Sequence, residues 1–373
     1  MPERAVLGLD YFAAATHAPG IGRYGRELVR AWLRCDDELG SLKLFEAGGR
    51  APRLPDAMLG LDGPDVRRSV ERHVRWALPR RATDGFARVL GVERLLGGCD
   101  VFLRSRPAAP ACRRAASLWP VSQWPGPNDE SARIRFASEL AANDHLIVFA
   151  RAAAERLVEQ FGVARDRVHV TPVGADHWRR DAEVLDVPTS PRTLLALGAV
   201  EDRRWPTALL EAFERLRESG AVERLLLVGR PGTGAGTFER RLGFSSARSH
   251  VEWITVPVES DLPRIVSAAA ALVHVGQGEA TAVTPLEALS FGVPAVVSDV
   301  PEMRECLGDR VEYLDADVRD RKRGEALAAA VERALATADD PSARAARRAL
   351  AERSTWDAVA RATSSVVARI AGR

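Results

Sequence analysis

Two glutamates eight residues apart, Glu279 and Glu287, carry the most chemical information in this 373-residue sequence. They lie in "LVHVGQGEATAVTPLEALSFGVPAVVSDVPEMREC", where an apolar run ends, a turn of small residues follows, and a helix begins near Val283 to Pro285. Proline is favoured at a helix start, and the free backbone N–H groups there attract anions. A phosphate held by the backbone of Thr281, Ala282 and Val283, with Glu287 in the first turn, would combine a diphosphate site with a hydroxyl acceptor. Carboxylates accept hydrogen bonds well from ribose or sugar hydroxyls. The plainer reading is a solvated helix with Glu279 as a favourable N-terminal charge. Spacing alone does not choose between them.

A second stretch, "APGIGRYGREL" (Ala18 to Leu28), spells GxGxxG with Gly20, Gly22 and Gly25, the spacing of a dinucleotide fingerprint. Glu46, near the end of the next expected strand, imitates the ribose-binding acid of that motif. In the fingerprint, however, the first glycine closes the strand-to-helix turn at once. Here "AAATHAP" separates "GLDYF" from Gly20. The better reading is a mobile loop opening a helix at Arg23, in which Gly20, Ile21, Gly22 and Arg23 allow close approach to a donor phosphate or an acceptor. "LDAD" (Leu314 to Asp317) contains a DxD, the metal-diphosphate signature, but reads as an acidic turn after a strand. "GRPGTGAG" (Gly229 to Gly236) lacks the Gly-Lys-Ser/Thr of a Walker A loop and reads as a strand-to-helix connection. His274, near the end of an apolar strand, reads as structural, with a donor-sugar contact as the sharper alternative.

The elements that must position these residues repeat a simple rhythm. Strand-like runs "AVLGLDYF", "SLKLFEA", "DVFLRS", "AASLWPVS", "DHLIVFA" and "RVHVTPVG" fill the first half. After "DVPTSP" (Asp186 to Pro191) the series restarts with "TLLALGA", "RLLLVGR", "VEWITV", "ALVHVG", "PAVVSDV" and "RVEYLD". Amphipathic helices such as "PTALLEAFERLRE" and "GEALAAAVERALA" lie between them. Continuous apolar strands alternating with helices imply parallel sheets covered on both faces. Two such series predict an α/β protein with two Rossmann-like domains facing across a cleft, at residues 1–187 and 188–353. A C-terminal helix, residues 354–373, would cross back to the first.

Composition narrows the function classes. A formal charge of +2 is too small to argue nucleic-acid binding. Cys35, Cys99, Cys112 and Cys306 show no metal or disulfide spacing. "MPERAVLGLDYF" reads as a charged start and a short strand rather than a signal peptide. No apolar run approaches the ~18 residues of a membrane span. The expected location is cytoplasmic. The basic stretch Arg67 to Arg88 reads first as a solvated helix face and second as a peripheral contact with the inner face of an anionic membrane.

The glutamate segment resembles the E-x7-E element of glycosyltransferase family 4, retaining enzymes of GT-B architecture. The resemblance is carried by Glu279, Pro285, Leu286, Glu287, Ala288, Gly292, Val293 and Pro294, and farther on by Glu305, Gly308 and Asp309. "GIGRYGRELVRAW" is similar to the family's N-terminal glycine loop and helix. "LIVFARAAAERLVEQFGVARDRVHVTPVGAD", "LLALGAVEDRRWPTALLEAFERL" and "TWDAVARAT" resemble later segments in the family's order. The resemblance implies that Glu287 holds the donor ribose and that Glu279 faces the transferred sugar. It sets Arg204, with Arg203 beside it, where the family has a lysine on the donor diphosphate. Arginine supplies that charge and can bind in two-pronged fashion, so neither metal nor cofactor is implied. Around Ala13 to Tyr24 and Leu103 to Pro125, with Arg104 and Trp119, the resemblance implies an acceptor side. Three positions depart from the pattern. Ala280-Thr281-Ala282 replaces Gly-Phe-Gly, Trp119-Pro120 stands where a His-Asp pair is common, and Trp205 follows the basic pair. These departures suggest an unusual substrate.

The expected function is transfer of a hexose from a nucleotide-diphospho-sugar, of GDP-mannose or UDP-hexose type, to a hydroxyl of a glycan or small-molecule acceptor. The alternatives are a catalytically weak nucleotide-sugar-binding subunit and an NAD-binding oxidoreductase.

Overall fold

The computed structural model describes residues 5–16, 20–35, 40–48, 52–63, 66, 70–126, 129–178 and 192–372. The expected hinge at Asp186 to Pro191 lies outside the described residues. So do Ala18 and Pro19 of the glycine stretch and residues 67–69 of the basic stretch. The chain divides into two compact units. One comprises Met1–Pro125, Asp129–Gly174 and Trp356–Arg373, the other Gly126–Asn128 and Ala175–Thr355.

The first unit is built on seven strands: β1 (Val6–Asp10), β2 (Ser41–Ala47), β3 (Val70–Trp76), β4 (Val101–Leu103), β5 (Ala116–Pro120), β6 (His145–Val148) and β7 (Val168–Val170). They pair in the order β3-β2-β1-β4-β5-β6-β7 and are parallel throughout. Leu7, Leu9, Leu42, Leu44, Val101, Phe102 and Leu118 are buried in the sheet. Each such side chain contributes about 1.5–3 kcal/mol by leaving water. The helix Ile21–Arg34 buries Leu28, Val29 and Trp32, and Gly20, at φ +64°, provides the left-handed turn that starts it. The C-terminal helix Trp356–Ile370 belongs to this unit. Trp356 meets Tyr24 edge-on at 5.8 Å, and Asp357 pairs with Arg34 at 2.8 Å. A Cβ at Gly174 would come within 2.5 Å of the Trp356 ring, so only glycine allows that approach.

The second unit carries β8 (Thr193–Leu197), β9 (Arg224–Val228), β10 (Val251–Ile254), β11 (Ala271–His274), β12 (Ala295–Asp299) and β13 (Glu312–Asp315). Their order is β10-β9-β8-β11-β12-β13, again all parallel. The helices Pro206–Glu218 and Asp320–Leu335 close one core with Phe213, Leu216, Phe238, Leu327 and Val331.

Every strand expected from the sequence is present, and three details differ. Part of the basic stretch read as a helix face is the edge strand β3. Val70, Val74 and Trp76 alternate with polar residues on its half-buried face, a period-2 signal that the surrounding arginines obscure. The helix expected at Arg23 begins at Ile21. The first three residues of "AAATHAP", read as loop, belong to the short helix Phe12–Ala15. Among the described residues no helix is long and apolar enough to cross a membrane.

Candidate active site

In each sheet the strand order reverses once, between β1 and β4 in the first unit and between β8 and β11 in the second. Open α/β sheets bind ligands beyond the carboxyl ends of the strands at such a point. In the second unit, the chain leaving β8 carries Arg203 and Arg204, while β11 ends on His274 and the chain leaving it carries Glu279.

These four side chains meet. Arg203 Nη1 lies 2.5 Å and Arg204 Nη2 3.2 Å from Glu279 Oε1, while His274 Nε2 lies 3.2 Å from Oε2. Glu279 is buried at 6% exposure. Burial alone would raise its pKa, but Arg204, His274 and Arg203 together outweigh it and hold the carboxyl well below the usual carboxylate range. The group is therefore an anion at neutral pH.

Backbone geometry fixes this arrangement. Trp205 adopts a left-handed conformation (φ 50°) before Pro206, which starts the next helix, and Arg323 lies over its ring at 4.2 Å. Arg203 Nε donates to Glu201 at 2.7 Å, and its carbonyl accepts from the Gln277 N–H at 2.8 Å. Arg204 Nη1 donates to the Leu197 carbonyl at 3.0 Å, passing over Gly198, where a Cβ would lie 2.1 Å from it. The Arg204 Nε is buried and finds no hydrogen-bond partner among the described residues. Ser298, at the end of β12, clasps the other side of the site: its hydroxyl accepts from the Gly276 N–H and donates to the Gly276 carbonyl, both at 2.8 Å. An open pocket beside the cluster is lined by Leu197, Gly198, Arg204, Leu209, Val273 and His274, among others.

Thr281 is half-buried, Ala282 is buried, and Val283 opens the helix Val283–Ser290. Glu287 lies in that helix, past its first turn. It is fully buried, with Oε1 3.2 Å from His177 Nε2. Sequence reasoning found Glu279, Glu287 and the arginine pair. It missed His177, and the only signal was an unexplained polar side chain in "GADHW". It also missed Ser298 and Glu201.

The remaining expected residues belong to the first unit. Gly22 is buried, and Ile21 and Arg23 are half-buried in the first turn of their helix. Gly20 follows the end of β1 by ten residues, so the immediate glycine turn of a dinucleotide fingerprint is absent there. Arg104, expected on the acceptor side, is taken up internally. It donates to the carbonyls of Pro110, Pro107 and Ala142 and to Asn143 Oδ1. Trp119 is buried and packs edge-on against Phe136 at 6.0 Å. The DxD is a turn, in which Asp315 Oδ1 accepts from the Asp317 N–H at 2.9 Å.

Residues 179–353 match the family described as Glycosyl transferases group 1. A curated D-inositol 3-phosphate glycosyltransferase of Xylanimonas cellulosilytica is 30% identical over 255 residues, covering 63% of this chain and 59% of that protein. The chain spans about half the length of the curated relatives it matches, 59% and 45% of two of them. Among solved structures, sucrose-phosphate synthase from Thermosynechococcus elongatus is similar over 98% of this chain and 99% of its own, at 17% identity and a TM-score of 0.69. Anabaena HepE, solved with UDP and glucose, is similar over 98% and 100%, at 12% identity and a TM-score of 0.65. At these identities the likeness establishes the fold, which is GT-B. The segment that holds the buried glutamate and its paired arginines is thus similar to the glycosyl transferases group 1 family, and the chain has the GT-B fold.

Proposed function

We propose that the protein is a retaining glycosyltransferase of family 4 that moves a hexose from a nucleotide-diphospho-sugar to a hydroxyl of a glycan or small-molecule acceptor. Residues 188–353 take the donor and residues 1–187 the acceptor. One observation carries the reading: a buried, anionic Glu279 held by two arginines and a histidine at the strand reversal of the second sheet. Arg203 and Arg204 neutralise the departing diphosphate, together with the backbone N–H groups at Thr281, Ala282 and Val283. Guanidinium charge and a helix N-terminus do this without metal or cofactor. Glu279 accepts from hydroxyls of the transferred sugar, and Glu287, steadied by His177, accepts from the ribose. The departing phosphate helps to deprotonate the acceptor on the same face, so no dedicated protein base is required.

The donor is a UDP- or GDP-hexose. UDP is the first to try, since HepE was solved with UDP and glucose. D-inositol 3-phosphate, from the relative's name, belongs in the acceptor panel beside unphosphorylated sugars. A membrane surface, reached through the basic stretch, is a further proposed partner, with the protein working at the cytoplasmic face. Ala280 and Ala282, each 1% exposed, occupy space that glycines would leave, and this favours a second reading as a catalytically weak donor-binding subunit.

Thermal-shift titration with UDP, GDP, dTDP and ADP, each with its sugars, tests the first step, because a ligand of the native state raises apparent stability. Donor hydrolysis or transfer separates enzyme from binding subunit. A response to NADH with none to any nucleoside diphosphate overturns the assignment.

A further inference from the structure

The strand reversal of the first sheet also carries a cluster of charged groups, which the donor chemistry does not use. Asp10 closes β1 and is buried at 6% exposure. Its carboxyl takes a short hydrogen bond from the hydroxyl of Ser105, two residues beyond β4. Arg106 follows Ser105 and is already neutralised, its two terminal nitrogens meeting the Asp84 carboxylate at 2.8 and 2.9 Å. Arg80 is different. It begins the helix Arg80–Leu90, and its guanidinium lies 3.9 Å over the Phe12 ring. Among the described residues it makes no ion pair or hydrogen bond. Gly48 leaves the room for that ring, since a Cβ there would overlap it at 1.8 Å.

The charge balance is lopsided. Burial pushes the Asp10 carboxyl upward, against the pull of Ser105, Arg106 and Arg80, which favours its protonated form. Burial and the neighbouring Arg106 together make the charge on Arg80 costly, and only Asp10 and Asp84 favour it. A half-buried cation over an aromatic ring, next to a second cation whose charge is already cancelled, has no counter-ion among the described residues. A guanidinium meets phosphate or carboxylate with two parallel N–H donors. Asp10 and Ser105 beside it offer hydrogen bonds to a hydroxyl.

We propose that Arg80, stacked on Phe12 beside Asp10 and Ser105, binds a phosphate or carboxylate group borne by a hydroxylated ligand at the β1–β4 strand reversal. The proposal rests on the glycosyltransferase reading in one respect: this ligand is the acceptor, which makes the acceptor class anionic.

The test titrates inorganic phosphate, and separately acetate, into the full chain in saturating UDP at constant ionic strength. Saturating UDP keeps the probe anion off Arg203 and Arg204. Thermal shift is read for wild type, Arg80→Gln, Arg80→Lys and the exposed neighbour control Arg81→Gln. Phosphate or acetate should raise the melting temperature of wild type and Arg81→Gln. The apparent affinity should fall at least tenfold in Arg80→Gln and less in Arg80→Lys, while the UDP response is the same in all four. The stronger of the two anions identifies the ligand group. A phosphate and acetate response that survives Arg80→Gln, or is missing from wild type while UDP still stabilises it, overturns the proposal. Failure of every nucleotide to bind would instead sink the glycosyltransferase reading. The anion response, then read without UDP by comparing Arg80→Gln with Arg203→Gln, would still decide the role of Arg80.

Discussion

Glu279→Gln separates the two jobs assigned to the glutamate, because it removes the charge while keeping the shape. Oε1 is shared by guanidinium nitrogens at 2.5 and 3.2 Å. Opposite charges at about 4 Å attract by about 4 kcal/mol at an effective dielectric constant near 20. The arginine side chains keep 25% and 21% of their exposure, so solvent screening and desolvation cut each arm to about 1 kcal/mol net. The variant should lose about 2 kcal/mol of stability, equivalent to about 4–8 °C in melting temperature for a unit of this size. Its effect on anion binding should have the opposite sign. In the wild type a diphosphate must compete with Glu279 for both guanidinium groups. In the variant it need not, so UDP should bind up to about tenfold tighter, which corresponds to about 1.4 kcal/mol. Transfer should still fall by about 100-fold or more, since a carboxylate facing the sugar acts where charge develops. Calorimetric UDP titration, thermal melting and donor turnover on one preparation read all three. UDP affinity that weakens in step with stability would refute the idea that Glu279 restrains the arginines. Wild-type turnover would refute its catalytic role.

Three further outcomes follow from local geometry. His177→Ala should weaken UDP binding several-fold and erase the preference for UDP over 2′-deoxy-UDP, as Glu287→Gln should, because the imidazole lies 3.2 Å from that carboxylate; calorimetry that finds the preference intact removes His177 from the site. Gly276→Ala should cost about 1–3 kcal/mol in denaturant melts, since its φ is +154° and a Cβ would come within 2.6 Å of the Arg203 carbonyl oxygen, a backbone atom that cannot swing away. His169, 3.1 Å from His145, is pushed down to about 4 by burial first, then by His145 and Arg369. A base with a depressed folded pKa prefers to stay neutral, so its contribution is complete above pH 6.5 and is lost as pH falls toward 4. His169→Gln should flatten that acid limb of stability against pH, and an unchanged slope would count against it.

The strands were legible because each is a compact apolar run between turn residues, and buried parallel strands need no finer signal than that. β3 was not, because an edge strand keeps polar residues on its exposed positions and four arginines in "RRSVERHVRW" drown the alternation of Val70, Val74 and Trp76. At the site, Glu279, Glu287 and the arginine pair could be read because each lies in a stretch whose spacing already carries meaning. The His177–Glu287 contact joins residues about 110 positions apart, and no local pattern encodes it. Arg104 illustrates the opposite difficulty. A buried arginine among carbonyls is indistinguishable, in sequence, from one that faces a ligand.

Arginine at position 204 also explains how the site stays assembled. Nη1 is anchored on the Leu197 carbonyl at 3.0 Å while Nη2 reaches Glu279 at 3.2 Å, so one planar group ties the end of β8 to the loop after β11. A lysine, the residue of the resembled family, has its three donors on one nitrogen and could not span both partners from a fixed plane. The span is possible only because Gly198 lacks a side chain beneath it. With both terminal nitrogens committed, the buried Nε is the donor left over. Charge, backbone and pocket wall are therefore one mechanical unit here. A substitution at Gly198 or Leu197 that displaces this guanidinium should disturb anion binding as directly as a change in the arginine itself.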